Sequence, residues 1–202
     1  NCLKMDTQNL TRHQRNRSRT RKQLQTALLE LSLEKGFANV SIQDITDRAD
    51  VARATFYLHT RDKDELLWSL IADTIHQTEQ ELSRSYTGTL PPQAEYYGYR
   101  NIFEHTERNR DLYRVILSKN GSPEMAGLVH DYLVSESLKD MQNLGIYAEI
   151  QQPPEITAQI VVGSVLSLAI WWLETPNSYT PAQMAAMLYQ ALHHRQPPVD
   201  AF

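Results

Sequence analysis

The sequence predicts an all-α chain of about nine helices, a small three-helix unit over residues 1–61 followed by a larger helical body over 62–202. Three observations carry this. Glycine is scarce, 7 in 202 residues, which disfavours the glycine-punctuated strands of an all-β chain. Apolar residues recur at helical spacing in one segment after another, with no strand alternation and no internal repeat. Capping patterns and prolines stand where several of these segments should begin.

The first segment is basic. Arg12, His13, Arg15, Arg17, Arg19, Arg21 and Lys22 crowd together, and the arginines from Arg15 to Arg21 fall on alternate positions. On a helix that spacing scatters charge around the barrel, whereas an extended arm lines it along one side. An arm that turns helical near Arg19 is therefore expected. From there Leu24, Ala27, Leu28 and Leu31 keep helical spacing, and Gly36 closes the helix. The second helix opens on a capping box, Ser41 to Asp44, with Val40 and Ile45 at the staple positions around it. Ile42, Ile45 and Ala49 mark its buried face, and the chain bends at Ala49-Asp50-Val51. A short third helix runs through Phe56 and Tyr57. Asp62-Lys63-Asp64-Glu65 begins another capping box, and Leu66, Leu67, Leu70, Ile71, Ile75 and Leu82 carry the fourth helix nearly to Tyr86. Thr87–Pro92 reads as a loop. Further helices are expected over 93–107, 109–119, 123–144, 154–174 and 181–194, with Pro123, Pro153-Pro154 and Pro181 near their starts.

Charge divides as the elements do. Residues 1–63 hold 12 Lys and Arg against 7 Asp and Glu, while the remainder hold 8 against 17, so a net −4 hides a basic module on an acidic body. Such an arrangement suits a polyanionic partner for the first module. Cys2 is the one cysteine, which excludes an intrachain disulfide and fits a reducing, cytoplasmic setting. The start lacks the apolar stretch of a signal peptide, and Asn1–Lys4 stand ahead of Met5.

Two short helices across a tight bend make a helix-turn-helix candidate. The bend needs small or apolar residues for steep packing, which Ala49, Val51 and Phe56 supply. The second member needs outward side chains able to touch bases and phosphates, and Arg53, Thr55, Tyr57 and His59 qualify. The run from Val40 to Leu67, VSIQDITDRADVARATFYLHTRDKDELL, resembles the DNA-binding segment of the TetR family of transcriptional regulators. Ser41, Ile45, Ala49, Val51, Thr55, Tyr57, His59, Lys63 and Leu66 stand in register with that family's pattern, and the likeness is dense over roughly residues 20–70. Asp50 stands where the family has a bend glycine, and Asp tolerates left-handed backbone better than most residues. Ala52 replaces a usual serine, Ala54 a usual glycine and Thr60 a usual aromatic.

The resemblance implies roles. Gln43, Arg53, Ala54 and Thr55 would face base edges, with Arg53 as the guanine reader through its two donors and Gln43 preferring adenine. Ser41, Tyr57, His59 and Lys63 would contact phosphates, and Arg15, Arg17, Arg19 and Arg21 would lie along the minor groove as an arm. The implied partners are double-stranded DNA with a near-palindromic operator, a second copy of the chain and a small-molecule effector.

In the second half, Ile156–Leu173 is the most apolar stretch. Its length suits a bilayer, but Thr157, Gln159, Ser164 and Ser167 interrupt it and no basic flank orients it, so it reads as a buried helix and no membrane partner is expected. By the resemblance, the last two long helices pair with their twofold mates. Gly163, Ser164 and Ser167 on one, with Met184, Met187, Leu188 and Ala191 on the other, are the candidate dimer residues. A ligand cavity is expected between these helices and the fourth, lined by Phe103, Tyr113, Leu117 and Trp171, and its aromatic surroundings favour an apolar or aromatic effector. Ligand entry would tilt the fourth helix and carry the reader with it through Lys63. No nucleophile elbow, phosphate loop or dinucleotide fingerprint points to an enzyme. None of the 7 histidines falls in a metal pattern, His193-His194 reads as a solvated helix end, and no cofactor is expected. The competing reading is a TetR-like DNA organiser or protein adaptor without an effector.

Overall fold

A computed structural model of the chain describes residues 12–85, 93–118, 121–143 and 152–198. Among the described residues the regular structure is helical throughout. The order is α1 (Arg12–Lys35), a 3-10 turn (Phe37–Asn39), α2 (Ile42–Ala49), α3 (Arg53–Tyr57), α4 (Lys63–Ser85), α5 (Ala94–Arg108), α6 (Arg110–Leu117), α7 (Pro123–Asn143), α8 (Pro154–Glu174) and α9 (Pro181–His193). The loop expected over Thr87–Pro92, the end of the apolar stripe at Tyr86, and the first residues with Cys2 lie outside the described residues. The chain forms two compact units, divided after Thr74, so α4 begins in the first and continues into the second.

One expectation is corrected at the outset. The basic segment is helical from Arg12, not from Arg19. Helical spacing sets Arg17 and Arg21 on one face, one turn apart. Both find partners there: Arg17 donates to the Leu58 carbonyl at 3.4 Å, and Arg21 pairs with Asp73 at 3.1 Å. An extended arm would send alternate arginines along one side and lose this match.

The first unit closes around Leu24, Leu28, Ile45, Phe56, Leu66 and Leu67, each 1% exposed or less. Burying one such side chain is worth about 1.5–3 kcal/mol. Polar seams add register between α1 and its neighbours. Buried Gln25 donates to Ser69 Oγ and Asp73 Oδ2 on α4, and Arg48 of α2 bridges Glu30 and Glu34 of α1. Gly36 ends α1 at φ 80°, a left-handed value that suits glycine, and its N–H closes on the Ser32 carbonyl.

In the second unit α5 packs on α9 and α7 on α8, with α6 against both of the latter. Tyr96, Phe103, Trp172, Met184 and Tyr189 share one core cluster. Helix α8 is long and apolar enough to cross a membrane by length and composition. Ala158, Val162, Val165, Ala169, Trp172 and Leu173 nevertheless place one of its faces inside this unit. Thr180 caps α9 through a full capping box with Gln183, and Pro181 occupies the first turn, where its missing N–H costs no helix bond.

Candidate nucleic-acid interface

The bend between α2 and α3 follows from two residues. Asp50 adopts φ 53° and ψ 50°, the left-handed conformation expected of it, and the Val51 N–H returns to the Thr46 carbonyl at 3.0 Å. Ala52 then caps α3 with no side-chain bond, only its carbonyl accepting from Thr55 and Phe56. What holds this five-residue helix is Phe56, fully buried. With Phe56 turned in, Arg53, Ala54 and Tyr57 are exposed and Thr55 is half-buried.

Before any ligand arrives, the side chains here are already arranged. Arg53 sits over the Tyr57 ring at 6.0 Å and donates to its hydroxyl at 3.4 Å, while Phe56 meets Tyr57 edge-on. Gln43 donates to Asp47 at 2.6 Å, which turns its amide oxygen away from the carboxylate. Ser41 is the N-cap of α2. Its hydroxyl accepts from the Asp44 N–H and donates to the Asp44 carboxylate, so the capping box uses the proton a phosphate contact would need. Lys35 at 2.8 Å and the Ser41 hydroxyl and amide hold the Asp44 carboxyl well below the usual carboxylate range. His59 is half-buried, and its pKa is lowered by desolvation first, then by Arg17 and Arg21. Lys63 points at the turn before α2 and bonds the carbonyls of Phe37, Ala38 and Val40.

Helix α4 opens on Asp62, whose carboxylate accepts from the Glu65 N–H at 2.7 Å. Glu65 reaches back to the Arg61 N–H rather than to that of Asp62, one residue further than a capping box requires. Thr60, standing where an aromatic was expected, is buried and bonds the Asp62 carbonyl and Glu65. Polar contacts thus seat the start of α4.

The four arm arginines separate into two faces. Arg17 and Arg21 turn toward α3 and α4. Arg15 and Arg19, with Lys22, line an open groove of about 600 Å³ that runs to Arg48 and Ala49 at the end of α2. Among the described residues none of these three cations has an ion-pair partner. Glu30 is the acidic residue on the groove.

The second-unit candidates are dispersed. Phe103 is fully buried and meets Trp172 edge-on at 5.8 Å. Tyr113 meets His105 edge-on, and burial raises its phenol pKa. Leu117 is half-buried, while Trp171 is 43% exposed and faces Tyr179. Trp172, its neighbour in sequence, is the tryptophan in the core, and Arg110 lies over its ring. Of the dimer candidates, Gly163, Ser167, Met187 and Ala191 are exposed and Ser164 half-buried, whereas Met184 and Leu188 are turned into the unit's own core. His193 is no solvated helix end. It stacks on Tyr189 at 4.8 Å and shares a hydrogen bond with the Tyr99 hydroxyl at 3.1 Å.

The long-range ties of Gln25, Arg48 and Lys35 were not readable from sequence, because periodicity marks a buried face without naming what covers it. Metal-binding groups of three or more His, Cys, Asp or Glu are absent among the described residues.

Comparison with known proteins points one way. A family model described as bacterial regulatory proteins, tetR family, matches residues 25–70. A second, a transcriptional regulator C-terminal region of the same family series, matches 96–194. The chain is 26% identical over 185 residues to an uncharacterised HTH-type transcriptional regulator, YxbF, of Bacillus subtilis. That match covers 86% of this chain but 44% of YxbF, so the chain spans under half of that relative's length. Among solved structures, a TetR-family regulator from Syntrophomonas wolfei superposes with TM-score 0.71 at 20% identity, over 87% of this chain and 93% of the other. NalD, the secondary repressor of the MexAB-OprM multidrug efflux pump in Pseudomonas aeruginosa, gives TM-score 0.71 at 21% identity, over 89% and 96%.

Proposed function

Because the chain belongs to the TetR family of DNA-binding transcriptional regulators, we propose that it is a homodimeric repressor of a near-palindromic operator, released by a small-molecule effector. It is a regulator and not an enzyme. The observation that carries the proposal is the reader: α3 held by one buried residue, Phe56, with Arg53 and Ala54 exposed beside Tyr57. Arg53 is the guanine reader, since its guanidinium offers two donors to O6 and N7. Gln43 supplies an outlying contact from α2. Arg15 and Arg19 bind backbone phosphate, and Tyr57 and His59 complete the phosphate set.

Pairing supports the operator symmetry. The exposed face of α8, with Gly163 and Ser167 at its centre, suits a twofold mate, and two readers then address half-sites about one DNA turn apart. Met187 and Ala191 of α9 add to that interface. The effector is apolar or aromatic, as the rings around Phe103 favour. Phe103, Tyr113 and Leu117 are the residues proposed to meet it, whereas Trp171 is turned outward. Repression is carried over from NalD, a repressor of similar fold, and the cytoplasm follows from the DNA target; no membrane takes part. Helix α4 is shared by both units, which gives effector binding a covalent route to the reader.

The test is selection from a pool of random duplexes at two salt concentrations, with the bound fraction sequenced. A palindromic motif with affinity falling steeply as salt rises is expected. Recovery without a motif would instead favour a DNA organiser or adaptor.

A further inference from the structure

Lys63 is the first residue of α4, yet its ammonium belongs to the chain ahead of α2. Nζ donates to the carbonyls of Phe37 at 2.8 Å, Val40 at 3.0 Å and Ala38 at 3.3 Å. An ammonium has three N–H donors and no acceptor, so the three carbonyls use all of them. The same nitrogen lies 4.6 Å from the centroid of the Phe37 ring, whose face attracts a cation. The turn's own backbone serves the Phe37 carbonyl, which accepts from the Val40 N–H; Lys63 adds a second donor there and reaches the carbonyls of Ala38 and Val40 as well.

The last of these carbonyls belongs to Val40, which is buried and directly precedes the N-cap Ser41. We propose that Lys63 is a positioning residue that fixes the entry of α2, and with it the DNA-facing first turn that carries Ser41 and Gln43, and that it does not itself bind phosphate. The proposal rests on the DNA-reading function above. Its physical consequence is that the first turns of α2 and α4 move as one piece. A displacement at the start of α4 either carries the α2 entry along or breaks three charge-assisted bonds, which are among the stronger hydrogen bonds of a protein.

Two substitutions separate the roles. Lys63→Met keeps the stem and removes every donor. Lys63→Arg keeps the charge, but its planar fork does not fit three carbonyls converging on one point. Affinity for a selected duplex is measured across a salt series for both, alone and combined with Ser41→Ala, after thermal unfolding shows which variants fold. Both Lys63 variants should lose on the order of ten- to a hundredfold in affinity, with the parent's salt slope. The effect of Ser41→Ala should change in the Lys63→Met background, a coupling that a general loss of stability does not produce. A salt slope lower by about 0.9 per protomer in Lys63→Met, with Lys63→Arg near parent affinity, would make Lys63 a phosphate ligand and overturn the proposal.

The parent chain supplies a second measurement if Lys63→Met fails to fold. A slowly exchanging Lys63 ammonium resonance in the free protein, unchanged by duplex, supports the latch. Fast exchange, or a shift on adding duplex, overturns it. Should the parent select no duplex at all, the operator reading fails, and the free-protein resonance still decides whether Lys63 holds the turn.

Discussion

At the reader, three polar side chains are already engaged before DNA arrives. Arg53 lies over Tyr57, Gln43 is held by Asp47, and Ser41 is tied to Asp44. Holding a long side chain near one geometry lowers the entropy lost on binding. Arg53 is also the residue where charge and base reading can be separated. Arg53→Ala removes both donors to guanine and leaves α3 pinned by Phe56. It should relax the preference at one position of each half-site by about 1–3 kcal/mol, with the other positions retained. Selection and sequencing of the variant's bound duplexes would show this, and an unaltered motif would remove Arg53 from base reading. The match of Tyr57, His59 and Lys63 to a known pattern made these residues legible in the sequence, but their partners were not. Lys63 reads as one more cation in a basic segment, and its three carbonyls lie 23 to 26 residues away.

Among elements, α5 to α9 begin and end within two residues of the ranges their periodicity predicts, and Pro123, Pro154 and Pro181 mark three of the starts. Phase was harder to read. Helix α9 is apolar on more than one side, so its pattern establishes a helix without separating inward Met184 and Leu188 from outward Met187 and Ala191. The pair Trp171-Trp172 poses the same problem on α8. In α1 the alternating arginines suited an arm, and only contacts 41 to 52 residues away favour the helix. The contact of α9 with α5 also carries a pH dependence. His193, between Tyr99 and Tyr189, has its pKa lowered by burial first, against the pull of Glu95 and with a further push from Arg195. The unfolded chain then binds this proton more readily than the folded one. Its contribution is therefore intact above the ordinary histidine range, near 6.5, and stability falls as pH drops below it. His59 acts in the same direction from the first unit. Urea unfolding at pH 7.5 and 5.5 should show the loss, and His193→Gln should reduce it. A full-sized difference in that variant would assign the effect to other groups.

For the whole molecule, the proposed pairing through the exposed face of α8 sets whether one chain or two would meet DNA. Ile156, Ile160, Gly163, Ser167 and Trp171 follow one another at helical spacing along that face, and the three large residues are each more than 40% exposed. A twofold mate packed there would cover them and bring the two helix backbones close at the glycine. Within the chain itself, a Cβ built at Gly163 meets nothing within 4 Å. In Gly163→Leu a side chain at this exposed position therefore starts into open space, and the change from glycine to a good helix former favours α8 by up to about 1 kcal/mol. The predicted phenotype is a chain that unfolds no more easily as a monomer but sediments as one where the parent sediments as a dimer. Its affinity for a full palindrome should fall toward that for a half-site, because one reader alone makes half the contacts. Sedimentation equilibrium, with binding to full and half duplexes, checks both consequences. A Gly163→Leu chain that dimerises like the parent would move the interface off this face, and the symmetry of the operator would then need another source.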